Sequence, residues 1–395
     1  MGKSVLISGA SIAGPALAFW LHRYGYQVTV VERAPKLRPG GQAVDFRGEV
    51  HMTVLRRMGI LDEIARHRTD AGPLRVVDAA GDELVGLPAS FAGGDVEIQR
   101  GDLARILFEL TEGDVEYVFD DSIASLTETA DGVDVTFERA APRSFDLVVG
   151  ADGLHSNVRR LVFGEESRFV RESGYRVALF EAPNRLGVGP DSVLYSEPGR
   201  GLAVFPTHAG RANVMCVYAD AGAGADRRDV EAQKRAVAAT YADMGWRAEE
   251  LMADLTGADT FYADSIGMVV MDSCTKGRVA LLGDAGYGAT CGGMGTGLAI
   301  VCAYVLAGEL AAADGDHRTA FAEYERAIGK FTKACRQVAG GIGTFFAPTT
   351  AGRIKWRTRV YRVLTAGPFL RFLDKMTTKA ATSITLTDYP VPVRL

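Results

Sequence analysis

A glycine-bearing turn between an apolar strand and a helix opens the sequence. Two later strand-then-turn blocks repeat that character, with a run of short, aromatic-rich strands between them. Together these predict the fold class: α/β, a Rossmann-like domain with an inserted antiparallel-sheet domain and C-terminal helices.

Val5-Leu6-Ile7 is the first apolar strand. Pro15 suits a first helical turn, where its missing N–H costs nothing, so a helix is predicted over 15–24, stopped by Gly25. Residues 27–32 form a β-branched second strand, completing a βαβ opening. Short runs at 177–180, 192–195, 202–206 and 213–218, separated by Gly/Pro turns, read as antiparallel strands, and 229–244 as a helix. Strand character returns at 278–282, then a glycine-rich loop and a helix over 295–312. The expected division is a discontinuous first domain (1–75, 96–168 and 263–345), an inserted sheet domain (76–95 and 169–262) and a C-terminal helical segment (346–395). Within that segment, 354–377 alternates Arg/Lys with apolar residues at helical spacing. This reads as an amphipathic helix docked on the body, with membrane contact as the alternative.

Apolar residues at 47% and charged residues at 24% describe an ordinary globular composition, and a net charge of −5 argues against a nucleic-acid partner. The five cysteines are scattered, odd in number and without CxxC spacing, which reads as reduced thiols and no metal site. Gly9, Gly14 and Pro15 break the N-terminal apolar run, against a signal peptide, and 298–308 is too short to span a bilayer. The expectation is a cytoplasmic protein, monomer or homodimer, without stable membrane association.

Gly9-Ala10-Ser11-Ile12-Ala13-Gly14 lies between strand and helix. Gly9 permits the tight turn, a small Ser11 lets a pyrophosphate approach, and Gly14 lets helix and strand pack closely. The helix N-terminus then offers N–H groups and partial positive charge to a diphosphate. Glu32 closes the second strand, where a carboxylate can hold ribose hydroxyls. Two further blocks follow: 146–153, ending in Asp152-Gly153 with Ser156 and Val158-Arg159 beyond, and 277–285, ending in Gly283-Asp284 before a glycine-rich helix start.

With these three blocks, with Gln99-Arg100-Gly101-Asp102-Leu103 and Leu107 as an Arg-x-x-Leu helix, and with Tyr324-Glu325-Arg326, the chain resembles the para-hydroxybenzoate hydroxylase-like, or group A, FAD-dependent monooxygenases over nearly its whole length. It is similar to their shorter two-domain branch, which includes tetracycline-inactivating enzymes and natural-product tailoring hydroxylases. The resemblance implies FAD as cofactor, NAD(P)H as a transient co-substrate, and hydroxylation of an aromatic or polyketide-like small molecule with O2 through a flavin C4a-hydroperoxide. It implies ribose binding by Glu32, Arg33 by the adenosine, Arg100 on the diphosphate, and Asp284 at the ribityl chain or diphosphate. Asp152-Gly153 would support FAD and NAD(P)H. Gln42 to Asp45 would line the ring, and Gly295, Thr296, Gly297 and Leu298 would give N–H groups to flavin N1 and O2, a placement helix polarity favours.

The family commonly continues Asp-Ala-Ala-His into a proline loop. Here Asp284-Ala285-Gly286-Tyr287 precedes a proline-free loop, 288–293. That departure favours the alternatives of an oxidase, epoxidase or Baeyer–Villiger enzyme on the same scaffold; a non-catalytic, FAD-containing ligand-sequestering protein is a further one. Catalytic side chains are not assigned, because the flavin carries the chemistry. Candidate pocket residues are Tyr287, Tyr195, Phe205 and Met215, with Phe180 and Tyr218 on the same strands and core packing the competing reading for each. His155 and His208 read as solvated loop histidines rather than bases, and Cys291 as a packing residue rather than a covalent flavin link.

Overall fold

The computed structural model describes residues 2–38, 40–69, 72–89, 93–207, 210–220, 222, 229–290, 293–339, 341–365 and 379–390. One six-stranded sheet is built, in spatial order, from Thr275–Lys276, Val279–Leu281, Leu147–Gly150, Ser4–Ser8, Gln27–Glu32 and Glu116–Phe119. All but the Thr275–Lys276 edge strand run parallel. Chain order reverses across the central Ser4–Ser8 strand, and such a switch point opens a crevice at the carboxyl ends of parallel strands. All three blocks leave the sheet at those ends: Gly9 after Ser8, Asp152 after Gly150, and Gly283-Asp284 after Leu281.

The Ala13–Arg23 and Gly295–Ala312 helices pack on each other, with Trp20 edge-on to Tyr304. Gly295–Ala312 is long and apolar enough to cross a membrane, but 72% of it is buried inside the protein, as in a helix hydrophobic on every side because it lies in the core. The His317–Ala339 helix covers it, with Tyr324 and Phe331 buried.

The second sheet has seven strands, in spatial order Phe261–Val269, Val170–Pro183, Arg211–Ala219, Arg200–Pro206, Ser192–Glu197, Leu74–Val77 and Glu83–Leu87. Neighbours are antiparallel except for the Ser192–Glu197 and Leu74–Val77 pair. The Phe261–Val269 strand straddles the boundary expected at residue 262. Both faces of this sheet are apolar. Val230–Tyr241 and Ala248–Thr256 cover one; Ile342–Phe346 and the Ala351–Thr365 helix lie against the other. Two small antiparallel sheets are also present among the described residues: Ala43–Phe46 with Val96–Gln99, and Ile123–Glu128 with Val133–Phe137 and Arg143–Phe145. The amphipathic tail is helical over Ala351–Thr365, and its predicted continuation to 377 lies outside the described residues.

Candidate functional site: a dinucleotide crevice facing an apolar sheet

The first turn is shaped by glycines that nothing larger can replace. Gly9 has φ +109°, and a Cβ there would meet Ala151 O at 2.5 Å; a Cβ on Gly14 would meet Gly9 O at 1.9 Å. Glu32 closes the turn, its carboxylate accepting from Ala10 N at 2.8 Å and Ala34 N at 2.9 Å. Ser11 is half-buried, Ile12 and Ala13 are buried, and the Arg33 side chain is exposed.

Other elements converge on this turn. Arg100 Nη2 donates to Ser11 Oγ at 3.0 Å, while its backbone N donates to Gln42 O at 3.1 Å. Gly40 packs so tightly on the Arg100–Glu109 helix that a Cβ on Gly101 would reach Gly40 N at 2.4 Å. Gly283, at φ +65°, brings the third block beside the first: its Cβ would lie 3.2 Å from Ala13 Cβ and 3.4 Å from Ala299 Cβ. Asp284 follows Gly283 at this junction. Water reaches its side chain, yet surrounding protein pushes its carboxyl above the usual range by desolvation, with the Arg100 guanidinium opposing. A Cβ at Gly295, in the first turn of the Gly295–Ala312 helix, would sit 3.4 Å from Asp284 Oδ1. Thr296 is half-buried there, and Gly297 and Leu298 are buried.

Asp45 is buried and ion-paired with Arg47; burial pushes its carboxyl up against the pull of that guanidinium. His51 is buried under the helix start, so close that a Cβ on Gly297 would meet its Cε1 at 2.3 Å. Its Nδ1 accepts from Arg47 N at 3.0 Å, and burial lowers its pKa to about 4, leaving a neutral imidazole. Sequence reasoning passed over Arg47 and His51. The two-residue offset of Asp45, on the strand, and Arg47, extended just beyond it, was the available signal, since it puts them on one side.

Asp152 does different visible work. It accepts from Asn157 N at 2.8 Å and Val158 N at 3.1 Å, capping the Asn157–Val162 helix together with Ser156. Gly153 supplies a positive φ of +84°. His155 is not the solvated histidine expected. Its Nδ1 faces Glu166 at 2.9 Å and its Nε2 faces Asp264 at 2.8 Å, joining the second block to the large sheet.

The proline-free loop has a structural reason. Thr290 N donates to Gly267 O and Val269 N to Gly288 O, both at 2.9 Å, so the loop extends the large sheet. A proline at 290 could not donate. A Cβ at Gly288 would fall 2.1 Å from Asp284 Oδ1. Cys291 and His208 lie outside the described residues.

The seven-stranded sheet meets the crevice through Asn213, whose Nδ2 lies 3.2 Å from both Gly41 O and Gln99 Oε1. Phe205 pairs with Asn213 across the strands, and Met215 lies two residues further on, so both share the face that reaches the crevice. Tyr195 and Phe180 lie on the opposite face, beneath the two covering helices, with Tyr218 at its edge. Tyr195 donates to Glu197 at 2.8 Å and packs against Trp246. Tyr287 is a core residue, 3% exposed, its hydroxyl 2.8 Å from that of Tyr324; its ring also borders a small pocket with Met294, Gly295 and Leu298. Among the described residues no cluster suits a metal ion, and Cys216, Cys274, Cys302 and Cys335 are buried free thiols.

Glycine-shaped strand ends, an arginine at the first turn and a helix N-terminus beside the Asp284 carboxylate define a dinucleotide-binding oxidoreductase of the flavoprotein type. Residues 3–328 match the FAD binding domain family, and the chain belongs to this family of FAD-dependent group A monooxygenases. It is 44% identical over 330 residues to an uncharacterized protein of Mycobacterium tuberculosis, covering 82% of this chain and 88% of the relative. A flavin-dependent monooxygenase from an unknown prokaryotic organism is 39% identical over 338 residues, 84% of this chain and 87% of the other. The crystal structure of the tetracycline destructase Tet(51) superposes with a TM-score of 0.86 at 32% identity, covering 99% of this chain and all of that one. FAD is the cofactor, and the residues present fit it: glycines let the first turn, the second block and the third block approach one another closely, and the Arg100 guanidinium stands at the first turn beside Ser11.

Proposed function

We infer that the protein is an NAD(P)H-consuming monooxygenase that hydroxylates a flat, apolar small molecule, aromatic or polyketide-like. One observation supports this reading above the others: Asn213 bonds to Gly41 O and shares its sheet face with Phe205 and Met215, as an apolar wall beside the cofactor crevice would require. The similarity to a tetracycline destructase supports a polyketide-like substrate.

FAD, when bound, would supply the redox chemistry that activates O2, with NAD(P)H as the electron source. The chain's own residues hold it and keep water out. In this reading Glu32 binds ribose and Arg33 lies by the adenosine. Arg100 would pair with the diphosphate, and Asp284 would hydrogen-bond the ribityl chain or the diphosphate. Gln42 to Asp45 would line the ring, and Asp152-Gly153 would support both FAD and NAD(P)H. N–H groups at Gly295 to Leu298 stabilise negative charge on the reduced ring through the helix N-terminus. The expected two-domain division with its helical tail and a cytoplasmic location belong to the same reading.

The test is a product screen with isotope-labelled O2 against phenols and polyketides, with NAD(P)H oxidation followed in parallel. Substrate-stimulated NAD(P)H consumption with label in the product is the expected result. Stoichiometric hydrogen peroxide with no labelled product, across bound compounds, would establish the oxidase alternative instead.

A further inference from the structure

The Ala351–Thr365 helix carries a feature the flavin chemistry does not use. It holds Arg353, Lys355, Arg357, Arg359 and Arg362 and no carboxylate, and the sequence has no Asp or Glu anywhere between Arg326 and Leu373. In a chain of net charge −5, positive charge is thus concentrated in one stretch.

One side of the helix is fastened to the protein. Arg357 and Thr358 are buried, the Arg357 guanidinium donates to Ser196 Oγ and Phe345 O, and Tyr361 packs edge-on to Phe345. The other side faces water. Trp356 and Val363, 67% and 73% exposed, are the most exposed large apolar side chains among the described residues. They are separated by seven positions, two helical turns, so they form one ridge along the axis. Arg353, Lys355 and Arg359 are exposed and flank that ridge, while Arg362, also exposed, donates to Leu84 O at 2.7 Å.

An apolar ridge flanked by cations, on a helix fixed by its opposite side, has the chemistry of an interfacial helix: aromatic and aliphatic side chains enter the headgroup boundary while cations meet lipid phosphates. Nucleic acid would engage the cations and leave Trp356 and Val363 without a partner. A second copy, meeting this face through a two-fold axis, would set like charges against one another. We propose that this face docks the protein, reversibly, on an anionic phospholipid surface.

The test uses the full-length holoprotein and vesicles of phosphatidylcholine with and without phosphatidylglycerol, followed by co-sedimentation and tryptophan emission. Binding is expected only with the anionic lipid, reversed by high salt and accompanied by a blue shift. Lys355→Gln/Arg359→Gln should weaken partitioning by about twentyfold. Trp356→Ser should remove the blue shift while flavin content, the check on folding, stays that of the wild type. Equal partitioning on neutral vesicles, none on anionic ones, or indifference to these variants would overturn the proposal. So would a dimer in sedimentation that Trp356→Ser dissolves, or duplex DNA retention lost in the charge variant without vesicle binding.

Discussion

Arg100 reaches across to Ser11: its Nη2 donates to the Ser11 Oγ at 3.0 Å, joining the start of one helix to the turn that opens another. The Gly40-Gly41-Gln42 loop holds the same arginine from behind through the Arg100 N to Gln42 O bond. Its guanidinium is the charge that opposes the rise of the Asp284 carboxyl pKa. One cation therefore serves the first turn, the loop and Asp284, with N–H donors left for an anionic ligand.

Arg100→Ala should lower FAD affinity by roughly ten- to a hundredfold, the equivalent of about 1.5–3 kcal/mol for hydrogen bonds to a charged group. The exposed Arg66, 69% open at its side chain, is the control, and Arg66→Ala should leave affinity unchanged. Equilibrium dialysis of the flavin compares the two. Equal retention in both variants would remove Arg100 from the site.

Gly297→Ala tests the helix start from the other side. The added methyl would meet the His51 ring at 2.3 Å, and that ring is enclosed edge-to-face by Phe46 and Phe331. The helix N-terminus must shift, at a cost of about 1–3 kcal/mol in stability and with weaker flavin binding. Adding His51→Ala removes the obstacle, so the double variant should keep more FAD than Gly297→Ala alone. If the single variant binds FAD normally, this turn does not hold the ring.

The contrast between these glycines and the sheet shows what a sequence can and cannot carry. Gly9, Pro15 and Glu32 announce themselves because each meets a local backbone demand. Tyr195 and Met215 do not, because their strands are buried on both faces. The two-residue alternation of polar and apolar side chains, which would distinguish the faces, is erased. Asn213, a polar residue between Ala212 and Val214, marked the face that meets the crevice. His155 and the missing proline were beyond local reading: Asp264 and Gly267, which explain them, are far away in sequence. The Ile123–Glu128 and Val133–Phe137 hairpin, by contrast, carried its signal in Asp131-Gly132 and was passed over.

His51 gives a pH dependence of definite sign. Burial depresses its pKa from 6.5 to about 4 in the folded protein, so between these values the unfolded chain binds the proton and the native one does not. Stability is complete above 6.5 and falls as pH drops towards 4, with a slope approaching 1.4 kcal/mol per pH unit, roughly, from this group. His51→Gln keeps an acceptor for Arg47 N but cannot titrate, so denaturant unfolding across this window should show a flatter slope. Identical slopes for variant and wild type would mean His51 is not neutral and buried in solution.

The two faces of the large sheet make the sharpest comparison. Tyr195 lies under the covering helices, and Tyr195→Phe removes only its bond to Glu197, which should cost about 1 kcal/mol of stability and leave steady-state kinetics alone. Phe205 is half-buried on the face that Asn213 carries to the flavin loop. Phe205→Ala removes aromatic contact area from a bound ring system, which should raise KM by roughly five- to a hundredfold, about 1–3 kcal/mol of lost contact. A looser fit admits water beside the cofactor, so more of the NAD(P)H consumed should appear as hydrogen peroxide. Initial rates of NAD(P)H oxidation, with peroxide measured in the same samples, separate the two variants. The reverse pattern, with KM raised by Tyr195→Phe and unchanged by Phe205→Ala, would move the substrate to the face beneath Val230–Tyr241 and Ala248–Thr256.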